Sequence, residues 1–185
     1  MSKVLRTLIY NDQVSLTLAD TTALVKEGIR LHFLSKTSAY IFGKALSAMV
    51  FMSACLKGEN GEISLAVKTA GEGEEIAVSG NRALKIRGYI GNVSLAGECN
   101  EQTETLAFAE GGSLTIIRDD GYSRPFVGAC AFPLTGGLDG AFEEYFRISE
   151  QLPTRIATIV AFDGANISFA GAAVLQPLPF ADEET

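Results

Sequence analysis

The side chains able to carry nucleophilic or metal chemistry are few: Cys55, Cys99, Cys130 and a single histidine, His32. Zinc sites announce themselves as cysteines two to four residues apart, and a catalytic thiol needs an activating base beside it. The cysteines here are widely separated along the chain, with neither C-x-C nor C-x-x-C, so no metal cofactor is expected. A hydrolase built from Cys130 or Cys99 with His32 lacks any local signature, and an enzyme is not expected either. Each residue has a plainer reading. Cys55 follows Met49 and Met52 at three-residue steps and reads as core, and the methionines read as gap-fillers. Cys130 alternates within a strand as a small buried thiol, His32 lies on the apolar stripe of a helix as a structural histidine, and Cys99 has no clear place.

Phosphate chemistry is equally poorly served. The segment Gly71 to Ile76 has two glycines of a dinucleotide loop but lacks the third, and its three glutamates repel a pyrophosphate, so it reads as a tight turn. G-x-x-x-x-G-K-[ST] is absent. Glu143 and Glu144 lie on the polar side of an amphipathic helix, where Glu143 and Arg147 stand four apart in the supportive orientation; they read as a solvated face, not an acid/base pair.

Charge narrows the partners. The chain carries a net charge of -7, and residues 93–185 hold 4 basic against 14 acidic side chains. Such a half repels phosphate backbones and anionic lipid heads, so nucleic acid and membrane are not expected partners. Met1 to Arg6 leads into the polar Asn11-Asp12-Gln13 with no apolar signal, and a cytoplasmic location with reduced thiols is expected.

These residues must be positioned by a fold, and the pattern predicts one. With 185 residues, 47% hydrophobic and 20% charged, the chain suits a single globular domain. Val4–Tyr10 and Val14–Leu18 flank Asn11-Asp12 as a hairpin. A helix over about 21–33 follows, capped from Asp20-Thr21-Thr22, with Val25, Gly28, Ile29 and His32 on its apolar side. Ser35 opens a second helix that Lys57 and Gly58 are expected to close. Its stretch Ala39–Leu56 has a single charge, Lys44; the lysine, Gly43 and two serines favour a buried core helix over a membrane span. Strands are predicted around Ile63–Val67, Ile76–Val78, Leu84–Ile90, Leu114–Arg118 and Phe126–Phe132, with a turn at Asp119-Asp120-Gly121-Tyr122. Residues 98–110 fit either a short helix or a mobile connection. Leu138–Gln151 is the clearest amphipathic helix, stopped by Pro153. Ile156–Phe162 and Ile167–Leu175 form a last hairpin about Asp163-Gly164, and the tail from Ala181 is expected to be unstructured. The fold class is α+β, mixed or antiparallel sheets packed with helices.

Several phrases together resemble the redox-regulated thirty-three-kilodalton heat-shock chaperonins. They are Ala19-Asp20-Thr21-Thr22, Gly43-Lys44-Ala45-Leu46 leading to Leu56-Lys57-Gly58, Arg87-Gly88-Tyr89, Gly111-Gly112-Ser113-Leu114 and Pro125-Phe126-Val127-Gly128. Tyr145-Phe146-x-x-Ser149-Glu150-Gln151-x-Pro153-Thr154 is the most specific, and Gln176-x-Leu178-Pro179 closes the match. The chain departs from the family pattern at Ala172, where a second glycine usually follows Gly171, at Phe126, where tyrosine is commoner, and at Asp139-Gly140, where an acidic pair is frequent. The resemblance implies a core domain over 1–179 that binds unfolded clients and forms a homodimer, followed by an acidic tail over 180–185. It also implies an ATP-independent holdase. In the family a C-terminal zinc domain with C-x-C and C-x-x-C keeps the chaperone off until oxidation; those ligands are absent here, so activity without redox control is expected. The alternative is a dimerisation core whose client binding resides in the linker that follows in family members. Which residues touch clients is not legible at this level.

Overall fold

The computed structural model describes residues 2–181. β1 (Lys3–Ile9) and β2 (Val14–Asp20) form the first hairpin, turned by Tyr10, Asn11 and Asp12, all with φ between 51° and 64°. α1 (Thr22–His32) and α2 (Lys36–Ala54) follow. Next come β3 (Glu62–Lys68), β4 (Glu75–Asn81) and β5 (Ile86–Ile90), then α3 (Glu101–Phe108), β6 (Ser113–Asp119) and β7 (Phe126–Ala131). α4 (Gly137–Tyr145) runs into a π-helical turn, Phe146–Glu150, before the long hairpin of β8 (Arg155–Asp163) and β9 (Asn166–Pro177). Of the acidic tail only Phe180 and Ala181 are described, in a turn closed by the Ala181 N–H on Leu178 O. The rest lies outside the described residues.

Two antiparallel sheets result, one ordered β1-β2-β9-β8 and the other β5-β4-β3-β6-β7. The α+β reading holds, with every pairing antiparallel. α2 is the axis of the core, touching β2, β8 and β9 on one side and β3, β4 and β5 on the other. That explains its composition. A helix enclosed between two sheets has no solvent face, and every residue from Ala39 to Ser53 except Tyr40 is buried. No helix among the described residues is long and apolar enough to cross a membrane.

Close packing of helix on sheet depends on small side chains. A Cβ at Gly43 would stand 2.8 Å from both Val25 and Val160. Against this helix the four-stranded sheet presents Thr17, Ala19, Ala170 and Ala172, all buried. Ala172, the departure from the family's glycine, therefore sits on the inner face against Val50.

Several local expectations need correction. α2 stops at Ala54, short of Lys57, because Cys55 and Leu56 donate to Met52 and Ser53 and tighten the last turn. Ser35 caps it as read, accepting the Ser38 N–H at 3.1 Å. The undecided segment 98–110 contains a helix, opened by Asn100, whose side chain accepts the Thr103 N–H at 2.9 Å. Leu84 lies in a turn with φ 56° and not in β5. The expected Glu143–Arg147 pair does not form. The π-helical turn shifts the phase of the last residues, so Arg147 pairs with Glu144 at 2.7 Å and Glu143 turns to Arg155 at 2.6 Å.

One buried ionic cluster ties the helices together. Lys44 Nζ on α2 donates to Glu104 Oε1 on α3 at 2.7 Å and lies 3.3 Å from Asp139 Oδ2 on α4. The second oxygen of Glu104 accepts the Leu138 N–H at 2.8 Å, fixing the start of α4. Gly137, at φ 54°, is required there, since a Cβ would collide with that oxygen.

Candidate functional site

None of the residues singled out for chemistry assembles into a catalytic site. His32 is half-buried and packs its ring edge-on against Phe42, 5.6 Å between centroids, and no hydrogen-bond partner for it is found among the described residues. Cys130 is buried as expected; its thiol reaches Ala141 O at 3.6 Å, and burial pushes its pKa up to about 11. Cys99 precedes α3 and approaches Lys36 O at 3.7 Å. Cys55 packs against the core as read, but only half-buried, just past the end of α2, where Sγ accepts from Arg6 Nη2 at 2.7 Å. Burial raises its pKa despite that guanidinium. No group of three potential metal ligands occurs among the described residues.

The functional candidate is a surface. Residues alternate across each strand, and the outer side of the four-stranded sheet collects what α2 does not take. Across its strands the register aligns Leu5, Leu18, Ala173 and Ala157 in one row and Thr7, Leu16, Leu175 and Arg155 in the next. On the far side of the first row Ile159 stands beside Gly171, whose missing Cβ leaves room for the Phe169 ring. Leu5 is 60% exposed, Ile159 52%, Phe169 44% and Leu18 40%. The usual polarity of a half-buried strand is inverted: in β2 the sheet buries Thr17 and Ala19 and leaves Leu18 outside.

Such a face is costly to leave bare. Each of these side chains gains about 1.5–3 kcal/mol when fully buried, and a contiguous exposed apolar patch is the ordinary mark of an interaction surface. At one end it leads into a depression of about 700 Å³, with Val14, Leu175, Pro153 and Pro177 among its lining residues and the Arg155–Glu143 and Arg147–Glu144 pairs alongside. Apolar rows with paired charges at the end suit polypeptide better than a small ligand.

The outer face of the five-stranded sheet is different. Ser64, Ala66, Ala77, Ser79 and Thr115 line a shallow trough of about 580 Å³ bordered by Arg87 and Tyr89. Tyr89 reaches Glu75 at 2.9 Å and Arg87 reaches Ser79 at 3.1 Å, so the Arg87-Gly88-Tyr89 phrase shapes this edge. Ile117, 41% exposed, lines it as well, and Val127, 60% exposed, stands opposite Ile117, so this face carries exposed apolar side chains among its small and polar ones.

Sequence reasoning missed the apolar face. Its signal was present as alternation in β2 and β9, but both parities of those strands contain apolar residues, and only the position of α2 decides which is inside.

Comparison with known proteins agrees with this architecture. The family model described as Hsp33 protein matches residues 2–185. A 33 kDa chaperonin of Clostridium novyi is 34% identical over 98% of this chain and 63% of its own length. One from Clostridium botulinum strain Eklund 17B is 31% identical over 98% of the chain and 62% of its own. The chain thus spans a little under two thirds of these relatives. The crystal structure of the 33 kDa chaperonin from Thermotoga maritima superposes with a TM-score of 0.83 at 22% identity, over 94% of this chain and 60% of that one, which establishes the shared fold. The chain belongs to the Hsp33 protein family.

Proposed function

We propose that residues 1–179 form a client-binding core that holds unfolded polypeptides on the outer face of the four-stranded sheet and keeps them from aggregating. The observation that carries this reading is the exposure of Leu5, Leu18, Ile159 and Phe169 together on that outer face, while β2 turns Thr17 and Ala19 inward. A holdase needs an adaptable apolar surface and a means of staying soluble, and a net charge of -7 serves the second need. No nucleotide motif is called for. The names of the relatives, 33 kDa chaperonins, support the class of activity.

Activity in this form is proposed to be independent of redox state, because the 185 residues contain no C-x-C or C-x-x-C to release zinc on oxidation. The active species is proposed to be a homodimer, as the family resemblance implies, acting in the cytoplasm, and the acidic charge of residues 93–185 argues against nucleic acid or membrane partners. The test is light scattering by a heat-unfolding client, with and without dithiothreitol. Equal suppression in both is the expected result. No suppression in either would assign client binding to segments beyond this core, and suppression abolished by reductant would overturn redox independence.

A further inference from the structure

The four-stranded sheet has two edges, and the chain treats them differently. Along β8 the N–H groups of Ile156 and Thr158 point away from β9, and helix α4 caps both: Glu143 Oε1 accepts the first at 3.1 Å and Asp139 Oδ2 the second at 3.1 Å. The two carboxylates sit four residues apart on one helix face and stand in for a missing strand. That edge is closed.

The β1 edge has no such cover among the described residues. Its partner β2 turns its odd-numbered residues toward β9, as the Thr21 N–H on Ala170 O and the Leu178 N–H on Gln13 O show at either end. The even-numbered residues of β2 therefore bond β1, and the register opposes them to Lys3, Leu5, Thr7 and Ile9. The main-chain groups of Val4, Arg6 and Leu8 are left pointing outward, and among the described residues β2 is the only strand paired with β1. This open edge is flush with the apolar face, because Leu5 and Thr7 lie on that face between the outward-bonding residues.

We propose that an unfolded client segment adds to β1 as an antiparallel fifth strand, with alternate apolar side chains laid beside Leu5 on the outer face. The inference rests on the reading of that face as the client surface. Main-chain pairing explains how one surface serves clients of unrelated sequence, since every polypeptide offers the same N–H and C=O groups. Charge selects the occupant. β1 carries Lys3, which faces Asp20 across the ladder, and Arg6, with no carboxylate of its own, so a second copy pairing here would bring four cations into one seam with only the two Asp20 side chains to offset them, whereas a neutral or acidic client segment meets no such repulsion.

Antiparallel geometry fixes which client amides matter. Residues whose side chains lie on the apolar face are opposite Leu5 and Thr7, and their N–H groups point away from β1; the intervening residues donate to it. The probe is a nine-residue capped peptide of leucines alternating with serine and glutamate, titrated by fluorescence anisotropy onto the whole chain. N-methylation of the serine and glutamate amides is expected to weaken binding at least tenfold, and N-methylation of the leucine amides less than threefold. Leu8→Pro, which deletes one outward N–H without touching the β1–β2 ladder, is expected to weaken the unmodified peptide severalfold at unchanged oligomeric size. Equal effects at both sets of amides, or the opposite parity, overturn strand addition while leaving the apolar face as the client surface. A change of oligomeric size with Leu8→Pro assigns the edge to a second copy and overturns it as well. No binding of the unmodified peptide removes both this inference and the reading beneath it.

Discussion

The combined substitution Leu5→Lys, Leu18→Glu and Ile159→Lys is expected to abolish client protection while leaving the fold intact. All three side chains are exposed by 40% or more in the free chain, so changing them removes little buried area. Leu5 and Leu18 face each other across β1 and β2, and a lysine opposite a glutamate keeps a favourable cross-strand pair. The stability cost of three such surface changes is within about 1.5 kcal/mol. The cost to binding is much larger. Losing three apolar contacts of roughly 1–2 kcal/mol each weakens client affinity by at least about a hundredfold. Urea denaturation and client light scattering, run on the same preparation, separate the two effects. Lysines introduced at Ser64 and Thr115, on the trough of the other sheet, are the matched control and should leave protection unchanged.

Lys44→Met is expected to produce the largest loss of stability of any single charge removal. Lys44 is the cation that neutralises Glu104, which is fully buried, and Asp139 beside it. Removing it strands the Glu104 carboxylate in the interior, while Asp139, 24% exposed, keeps its bonds from Thr158; breaking a buried pair in this way costs about 3–5 kcal/mol, out of the roughly 5–15 kcal/mol that hold a domain of this kind together. The second change Glu104→Gln should recover much of that, because a neutral amide oxygen still accepts the Leu138 N–H without a buried charge. Urea midpoints of the single and double variants check both statements. A Lys44→Met midpoint equal to that of the parent would show that the cluster contributes nothing.

How far these residues could be read beforehand depends on what decides them. The hairpins at Asn11-Asp12 and Asp163-Gly164 and the helix opened by Ser35 rest on local turn and cap chemistry, and local sequence carries it. The apolar character of Ala39 to Leu56 reads correctly as a core helix because the lone lysine and the small residues mark it. What that lysine pairs with is another matter. Glu104 and Asp139 lie far along the chain on two other helices, and no spacing rule connects them to Lys44. Glu143 looks solvated from helical periodicity alone, yet the following π-helical turn frees it to serve β8. The exposed apolar face was hidden for a related reason. In β2 the leucines look like the inward set and Thr17 and Ala19 like the outward one; α2, which packs Val50 against Ala19, decides the opposite.

Photo-crosslinking distinguishes clients held on the outer face of the four-stranded sheet from clients held on the other sheet. Phe169 on that face and Tyr89 on the other sheet are aromatic and almost equally exposed, at 44% and 45%, so a benzoylphenylalanine at either position samples solvent to the same degree. With a heat-unfolding client present, the expected result is a client adduct from position 169 and none from position 89. Adducts at 89 with none at 169 would contradict it.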